Sequence, residues 1–156
     1  DVYKRQILNR NPSRWTILIL HHPIFSSSRG RDNNELRAAL MPVFDRGGVD
    51  LVLQRHDHTY GRPGNVRSGV NVLDEASGTV YGVSVSWPKM YHHSGHQLMR
   101  RIAENIQLYQ IITVSANSLR YRAYTAIDDL YDAFDLVKTD TDPRRLIELI
   151  PTRAPK

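Results

Sequence analysis

The chain has no cysteine among its 156 residues. That excludes a disulfide framework and any thiolate metal site, so a bound metal would be held by nitrogen and oxygen. No apolar run approaches the ~20 residues needed to span a bilayer, and no membrane partner is expected. No signal peptide is visible, because the opening DVYKRQ is not followed by a hydrophobic segment. Dense basic clusters are also missing. The net charge is +5, yet the arginines are scattered, and Arg100–Arg101 and Arg144–Arg145 are the densest pairs. Without a basic stripe interleaved with aromatics, no nucleic-acid partner is expected. Internal repeats and low-complexity segments are absent too.

The hydrophobic content of 40% and charged content of 24% are those of a chain that can bury a core. The length suits one domain. Residues 1–6 resemble translated adapter sequence and are set apart from the domain, which is expected over 7–150, with 151–156 as a frayed tail. Ile7 to Arg14 reads as the end of a helix broken at Asn11–Pro12.

Two apolar runs without alternation, Trp15–Leu20 and Val49–Leu53, read as strands buried on both faces. Between them lie a serine-rich loop, Ile24–Arg31, and an amphipathic helix. Asp32 and Glu35 resemble a capping box at its start. Leu36, Ala39, Leu40, Val43 and Phe44 form its apolar stripe, and Gly47–Gly48 stop it. Strand, helix, strand makes a βαβ unit, whose parallel strands end on one edge. Further on, Thr79–Ser86 reads as a strand and Trp87–His96 as a polar, aromatic loop. Ile106–Val114, Ser118–Ala126 and Tyr131–Val137 then form an antiparallel meander. Asp140–Pro143 is a turn, and Arg144–Ile150 a short helix. The fold class is α/β: a βαβ unit followed by a mainly antiparallel sheet.

Each strand of the βαβ unit ends in histidine. His21 and His22 precede Pro23, and LVLQRHDHTYGR (Leu51–Arg62) carries His56 and His58 around Asp57. In extended backbone, residues two apart share a side, and neutral imidazole is the commonest transition-metal ligand. A lone strand-end histidine is more often a hydrogen-bonded structural residue. Histidines at the carboxyl ends of two adjacent strands, where open α/β sheets place their chemistry, instead suggest a metal site. His92, His93 and His96 have a ligand-like spacing, but no helical pattern supports them, so they read as an exposed loop. Asp128, Asp129, Asp132 and Asp135 lack the glycine and closing glutamate of a calcium loop. They read as turn and strand-face charges.

The blocks WTILILHHPIF (Trp15–Phe25) and LVLQRHDHTYGR resemble the two C-terminal signatures of calcineurin-like metallophosphoesterases, in particular the purple acid phosphatase branch, whose blocks read apolar strand–H-x-P and G-H-x-H-x-Y-x-R. Gly78–Tyr91, Ala103–Val114 and Tyr124–Lys138 resemble the same branch. The resemblance implies the C-terminal half of a metallophosphoesterase α/β/β/α sandwich. It also implies phosphoester hydrolysis at two divalent or trivalent metal ions, iron with zinc, manganese or iron. His21 and His56 would bind one metal and His58 the other. His22 would face the substrate as a catalytic candidate, and Tyr60 and Arg62 would fix the loop. Arg55 stands where the pattern has glycine, and would either strain the loop and crowd the metals or reach a substrate phosphate. Gly61 replaces a pattern glutamate.

The family's N-terminal blocks D-x-H, G-D-x-x-[DY] and G-N-H, which supply the carboxylates, are not in this sequence. The resemblance therefore makes the missing N-terminal half of the domain a partner and leaves this chain inactive alone. It implies a phosphorylated small-molecule or protein substrate and a secreted or periplasmic location. The alternative is a non-catalytic binding or scaffold domain that keeps the fold and has lost the metals.

Overall fold

The computed structural model describes residues 2–74, 76–84, 88–94, 97–141 and 144–152. Helix α1 (Val2–Asn9) ends just before Asn11–Pro12, where proline removes a backbone donor and disfavours helix in the residue before it. It begins earlier than the sequence suggests and takes in most of the segment 1–6 set apart above. Strand β1 (Ile17–Leu20) follows, then helix α2 (Asn34–Arg46) and strand β2 (Leu51–Gln54). β1 and β2 pair in parallel, from Ile17 opposite Leu51 to Leu20 opposite Gln54. The expected βαβ unit is thus present.

The helix starts one residue later than the Asp32 capping box predicts. Asn33 is its N-cap, and the Asn33 side chain accepts from Leu36 N–H at 2.9 Å, while Asp32 pairs with Arg37. Of the predicted stripe, Leu40, Val43 and Phe44 are buried but Ala39 is exposed. Met41 packs into the core instead. Gly48, at φ +62, turns the chain out of the helix, as glycine does without steric cost.

After β2 come β3 (Tyr60–Pro63), a two-residue hairpin of β4 (Val66–Arg67) and β5 (Val70–Asn71), β6 (Val80–Val83) and β7 (Met99–Ala103). The first sheet has the order β1-β2-β6-β3-β7. β6 runs parallel to β2, and β3 is antiparallel to both β6 and β7. The second sheet is an antiparallel meander of β8 (Leu108–Val114), β9 (Ser118–Thr125), β10 (Leu130–Val137) and β11 (Arg145–Glu148), in the order β11-β10-β9-β8. The expected terminal helix over Arg144–Ile150 is therefore a strand. Arg145–Glu148 pairs with Phe134–Val137, and Leu146 is buried while Arg145 and Ile147 face out, the period of two that pairing imposes. The ends of the predicted Thr79–Ser86 strand, Asp140–Pro143 turn and 151–156 tail lie outside the described residues.

Alternation sorts the first sheet's side chains into two cores. Leu51 and Val80 face the second sheet, where they join Leu119, Tyr121, Phe134 and Leu136. Val52 and Tyr81 face α2, where they join Phe25, Val43 and Phe44. The described residues thus supply three layers: helix, first sheet, second sheet. β1 departs from the expectation of a strand buried on both faces, because it lies at the sheet's edge and Ile19 is 75% exposed. Among the described residues no helix is long and apolar enough to cross a membrane.

Arg62 ties the two sheets together. Its side chain is fully buried. Nε and Nη2 donate to the Asp132 carboxylate at 2.6 and 2.9 Å, and Nη1 and Nη2 donate to Glu148 at 3.0 and 2.8 Å. Two residues back on the same face, Tyr60 Oη donates to Asp132 at 2.6 Å. Burial opposes the guanidinium charge, but the hydrogen bonds and charge of Asp132 outweigh it and hold Arg62 protonated well above its ordinary range. Burial, with Tyr121 and Asp132 beside it, likewise pushes the Tyr60 phenol well up. These two residues therefore fix the sandwich rather than a loop. Asp132, read from sequence as a strand-face charge, is their buried partner.

Candidate metal centre

Parallel β1 and β2 end side by side, and Arg55 N–H donates to the His21 carbonyl at 3.3 Å. That bond holds the two histidine-bearing strand ends together. His21, His22 and His56 each place a ring nitrogen within 4.8 Å of the others. The closest pair is His21 Nε2 and His56 Nδ1, at 3.0 Å. Ring centroids lie 4.8 Å apart for His21–His22, 4.9 Å for His21–His56 and 4.6 Å for His22–His56. Among the described residues this is the one cluster of metal-ligating side chains.

The stretch His56–His58 is not extended. His56 adopts φ +70, a left-handed step that turns the chain, so His56 and His58 do not share a face. His58 stands outside the cluster with its ring 4.7 Å from that of Tyr91, and its Nδ1 meets the Lys89 carbonyl. A carbonyl only accepts, so Nδ1 carries a proton, and Nε2 is the ring nitrogen left to meet a ligand. Histidines that bind metal are commonly oriented this way. Arg55 is not among the described non-glycine residues with positive φ, so the strain expected at that position falls on His56 instead.

Asp57 turns inward. It is fully buried, accepts from Ser26 Oγ, and forms an ion pair with Arg31 Nε at 2.8 Å. The serine-rich loop, expected as a simple connection, is thus largely interior: Ser26, Ser27 and Ser28 are all buried. Ser27 and Ser28 meet Thr59 Oγ1 at 2.8 and 2.9 Å. Both histidine loops are therefore fastened through buried hydroxyls, an arrangement that no spacing in the sequence reveals. Gly61 belongs to the same packing, since a Cβ there would stand 2.5 Å from Ser27 Oγ.

Burial, then Arg31, His22 and His21, lower the His56 pKa, and Asp57 opposes them only in part. The imidazole is therefore neutral near pH 7 and can donate a lone pair. A cavity of about 520 Å³ opens beside the cluster, between the sheets. His21, Arg55, His56 and His58 line it together with Ile19, Leu53, Leu108 and Tyr121. Gln54, also on its wall, is buried, with Nε2 unpartnered and Oε1 accepting from Ile24 N–H. Of the second histidine group, His92 and His93 contact Glu104, and His96 lies outside the described residues. Tyr60 and Arg62 sit in the core and do not line this cavity.

No family model matches the chain. Among curated proteins it is similar to purple acid phosphatase 17 of Arabidopsis thaliana, 31% identical over 72 residues, which is 46% of this chain and 21% of that protein. It is also similar to purple acid phosphatase 4 of the same plant, at 29% over 72 residues and the same shares. The match thus spans about a fifth of the length of these relatives. Among solved structures, the purple acid phosphatase PPD1 from yellow lupin seeds superposes with a TM-score of 0.76 at 15% identity, covering 89% of this chain and 28% of that one. GAP50, described as the anchor in the inner membrane complex of Plasmodium, superposes with a TM-score of 0.65 at 17% identity, covering 89% and 42%. The mixed α/β architecture is that of the purple acid phosphatase fold, and the sequence is similar to that of phosphatases whose chemistry is hydrolytic.

Proposed function

We propose that this chain is the histidine-bearing part of a metal-dependent phosphoester hydrolase of the purple acid phosphatase type. The observation that carries the reading is the convergence of His21, His22 and His56 at the carboxyl edge of parallel strands, with His58 opening onto the same cavity. The donor set suits metal: imidazole ring nitrogens at a solvent-accessible rim. It is incomplete for two ions, because no carboxylate joins the cluster among the described residues and Asp57 is committed inward. The remaining ligands would come from the missing N-terminal half of the domain. β1 and β8, each at the edge of its sheet among the described residues, support such a partner. They lie on one side of the sandwich, where Trp15 Nε1 reaches the Ser115 carbonyl at 2.8 Å.

In this reading His21 and His56 hold one ion and His58 the other. When bound, such ions polarise phosphoryl oxygens and lower the pKa of water. The chain's own contribution is orientation. Lys89 fixes the His58 tautomer, the Asp57–Arg31 pair fixes the loop between His56 and His58, and Arg55 lines the cavity, where guanidinium suits a substrate phosphate. His22 would face the substrate. The substrate is a phosphorylated small molecule or protein, the ions are iron with zinc, manganese or iron, and the location is secreted or periplasmic.

The test is to extend the reading frame upstream of Ile7, express the longer protein, and measure bound metal and hydrolysis of an aryl phosphate. Two ions per chain with chelator-sensitive turnover are expected. An extended protein that folds but binds no metal and shows no turnover would instead support the non-catalytic scaffold that has lost the metals, the reading favoured by Arg55 in place of the pattern's glycine.

A further inference from the structure

We propose that a second cavity, at the amino edge of the parallel strands, binds inorganic phosphate. It shares no lining residue with the histidine edge, and the assignment does not rest on the phosphoesterase reading.

Arg14 lies before β1, Asp50 before β2 and Thr79 before β6, and all three line one cavity of about 390 Å³. Four cations, Arg14, Arg67, Lys138 and Arg144, line it with only two carboxylates, Asp45 and Asp50. The buried Asp50 holds two of the cations in place. Lys138 Nζ stands 2.8 Å from its Oδ1, and Arg144 Nη1 donates to its carbonyl at 2.9 Å. Arg144 Nη2 donates to Asn65 Oδ1 at 2.8 Å. Among the described residues these bonds leave further guanidinium hydrogens for a ligand. Burial lowers the Arg144 pKa, and Asp50 restores it only in part, so an anion beside it is favoured. Arg67 is exposed, and its guanidinium meets no carboxylate among the described residues. A free guanidinium and a buried one in one concave site suit the oxygens of phosphate, which arginine's fork matches.

Asp45 supplies the selection. Its Oδ2 accepts from Ser68 N–H at 3.0 Å, while Oδ1 is buried and has no partner among the described residues. A carboxylate oxygen only accepts, so an anion beside it must bring a hydrogen. Inorganic phosphate keeps at least one P–OH hydrogen at neutral pH, and sulfate keeps none. Asp45 can therefore accept from the first and repels the second.

The test titrates the chelator-treated 156-residue chain with phosphate and with sulfate by calorimetry at neutral pH. One equivalent of phosphate should bind, and sulfate should bind about tenfold more weakly or worse. Arg67→Gln should weaken phosphate binding by about tenfold. Asp45→Asn puts an N–H where an oxygen only accepted, so sulfate should then bind about as well as phosphate. Arg55→Gln, on the histidine edge, should change neither titration. Circular dichroism verifies the fold of each variant, and the comparison of the two anions on the parent chain decides even where a variant fails to fold. No phosphate binding by the parent, equal affinity for both anions, or parental binding by Arg67→Gln would each overturn the proposal. So would an unchanged preference in Asp45→Asn, or loss of binding in Arg55→Gln, which would place the anion at the histidine edge instead.

Discussion

Arg31 Nε donates to Asp57 Oδ1 at 2.8 Å, and through that bond the loop after β1 holds the loop after β2. Arg31 is partly exposed while Asp57 is fully buried, so removing the aspartate frees an arginine that can turn to water. Asp57→Ala is expected to cost about 2 kcal/mol, the scale of a charged hydrogen bond with a second one lost at Ser26. Urea unfolding measures that cost. The histidine ring resonances of the variant should also shift at His56 and His58 while those of His92 and His93 stay put.

Arg62 is a stronger dependence. Arg62→Met leaves Asp132 buried without its cation, and is expected to destabilise by about 3–5 kcal/mol. Chemical denaturation would read this as a lower midpoint with unchanged slope. Adding Asp132→Leu should recover much of the loss, because the unpaired buried charge is then gone.

Gly61→Glu restores the residue of the family pattern but drives its Cβ to 2.5 Å from Ser27 Oγ. Overpacking of this kind costs about 1–3 kcal/mol, seen as a lower melting temperature. Ser27→Gly in the same protein should return part of it. The glycine is thus a packing requirement here.

At alkaline pH, Tyr60, Tyr81 and Tyr121 resist ionisation. Burial is the largest cause in each case and raises all three above the usual phenol value. A raised phenol pKa means that the folded state holds more protons than the unfolded one above about pH 10, so stability falls as pH rises beyond that point. Tyrosinate absorbance should therefore appear in two phases. The buried three should ionise in the later phase, together with loss of the circular dichroism signal.

The βαβ unit and the meander were legible because their strands are apolar runs bounded by turn residues. β3 and β7 were not, since Tyr60–Pro63 and Met99–Ala103 carry arginine, glycine and proline whose strand state comes from pairing with each other. Arg145–Glu148 was misread because its few apolar residues fit a helical period as well as a strand period, and only the partner β10 decides. The site was legible as histidines at strand ends. Which of them meet was not. The φ of +70 at His56 separates His56 from His58, and the end of β1 brings His22 beside His21. The partnership of Arg62 with Asp132 spans 70 residues and leaves no local trace.

The edge position of β1 has a practical consequence for handling the protein. The strand ILIL carries no charge and no proline, and among the described residues its outer edge pairs with no other strand, beside the exposed Ile19. Natural sheets guard such edges with lysine, proline or a covering segment, since an uncovered one templates growth by further chains. In concentrated solution the isolated chain should therefore aggregate strand on strand, with light scattering rising with concentration. Ile19→Lys should keep it monodisperse, and so should any polypeptide that occupies that edge.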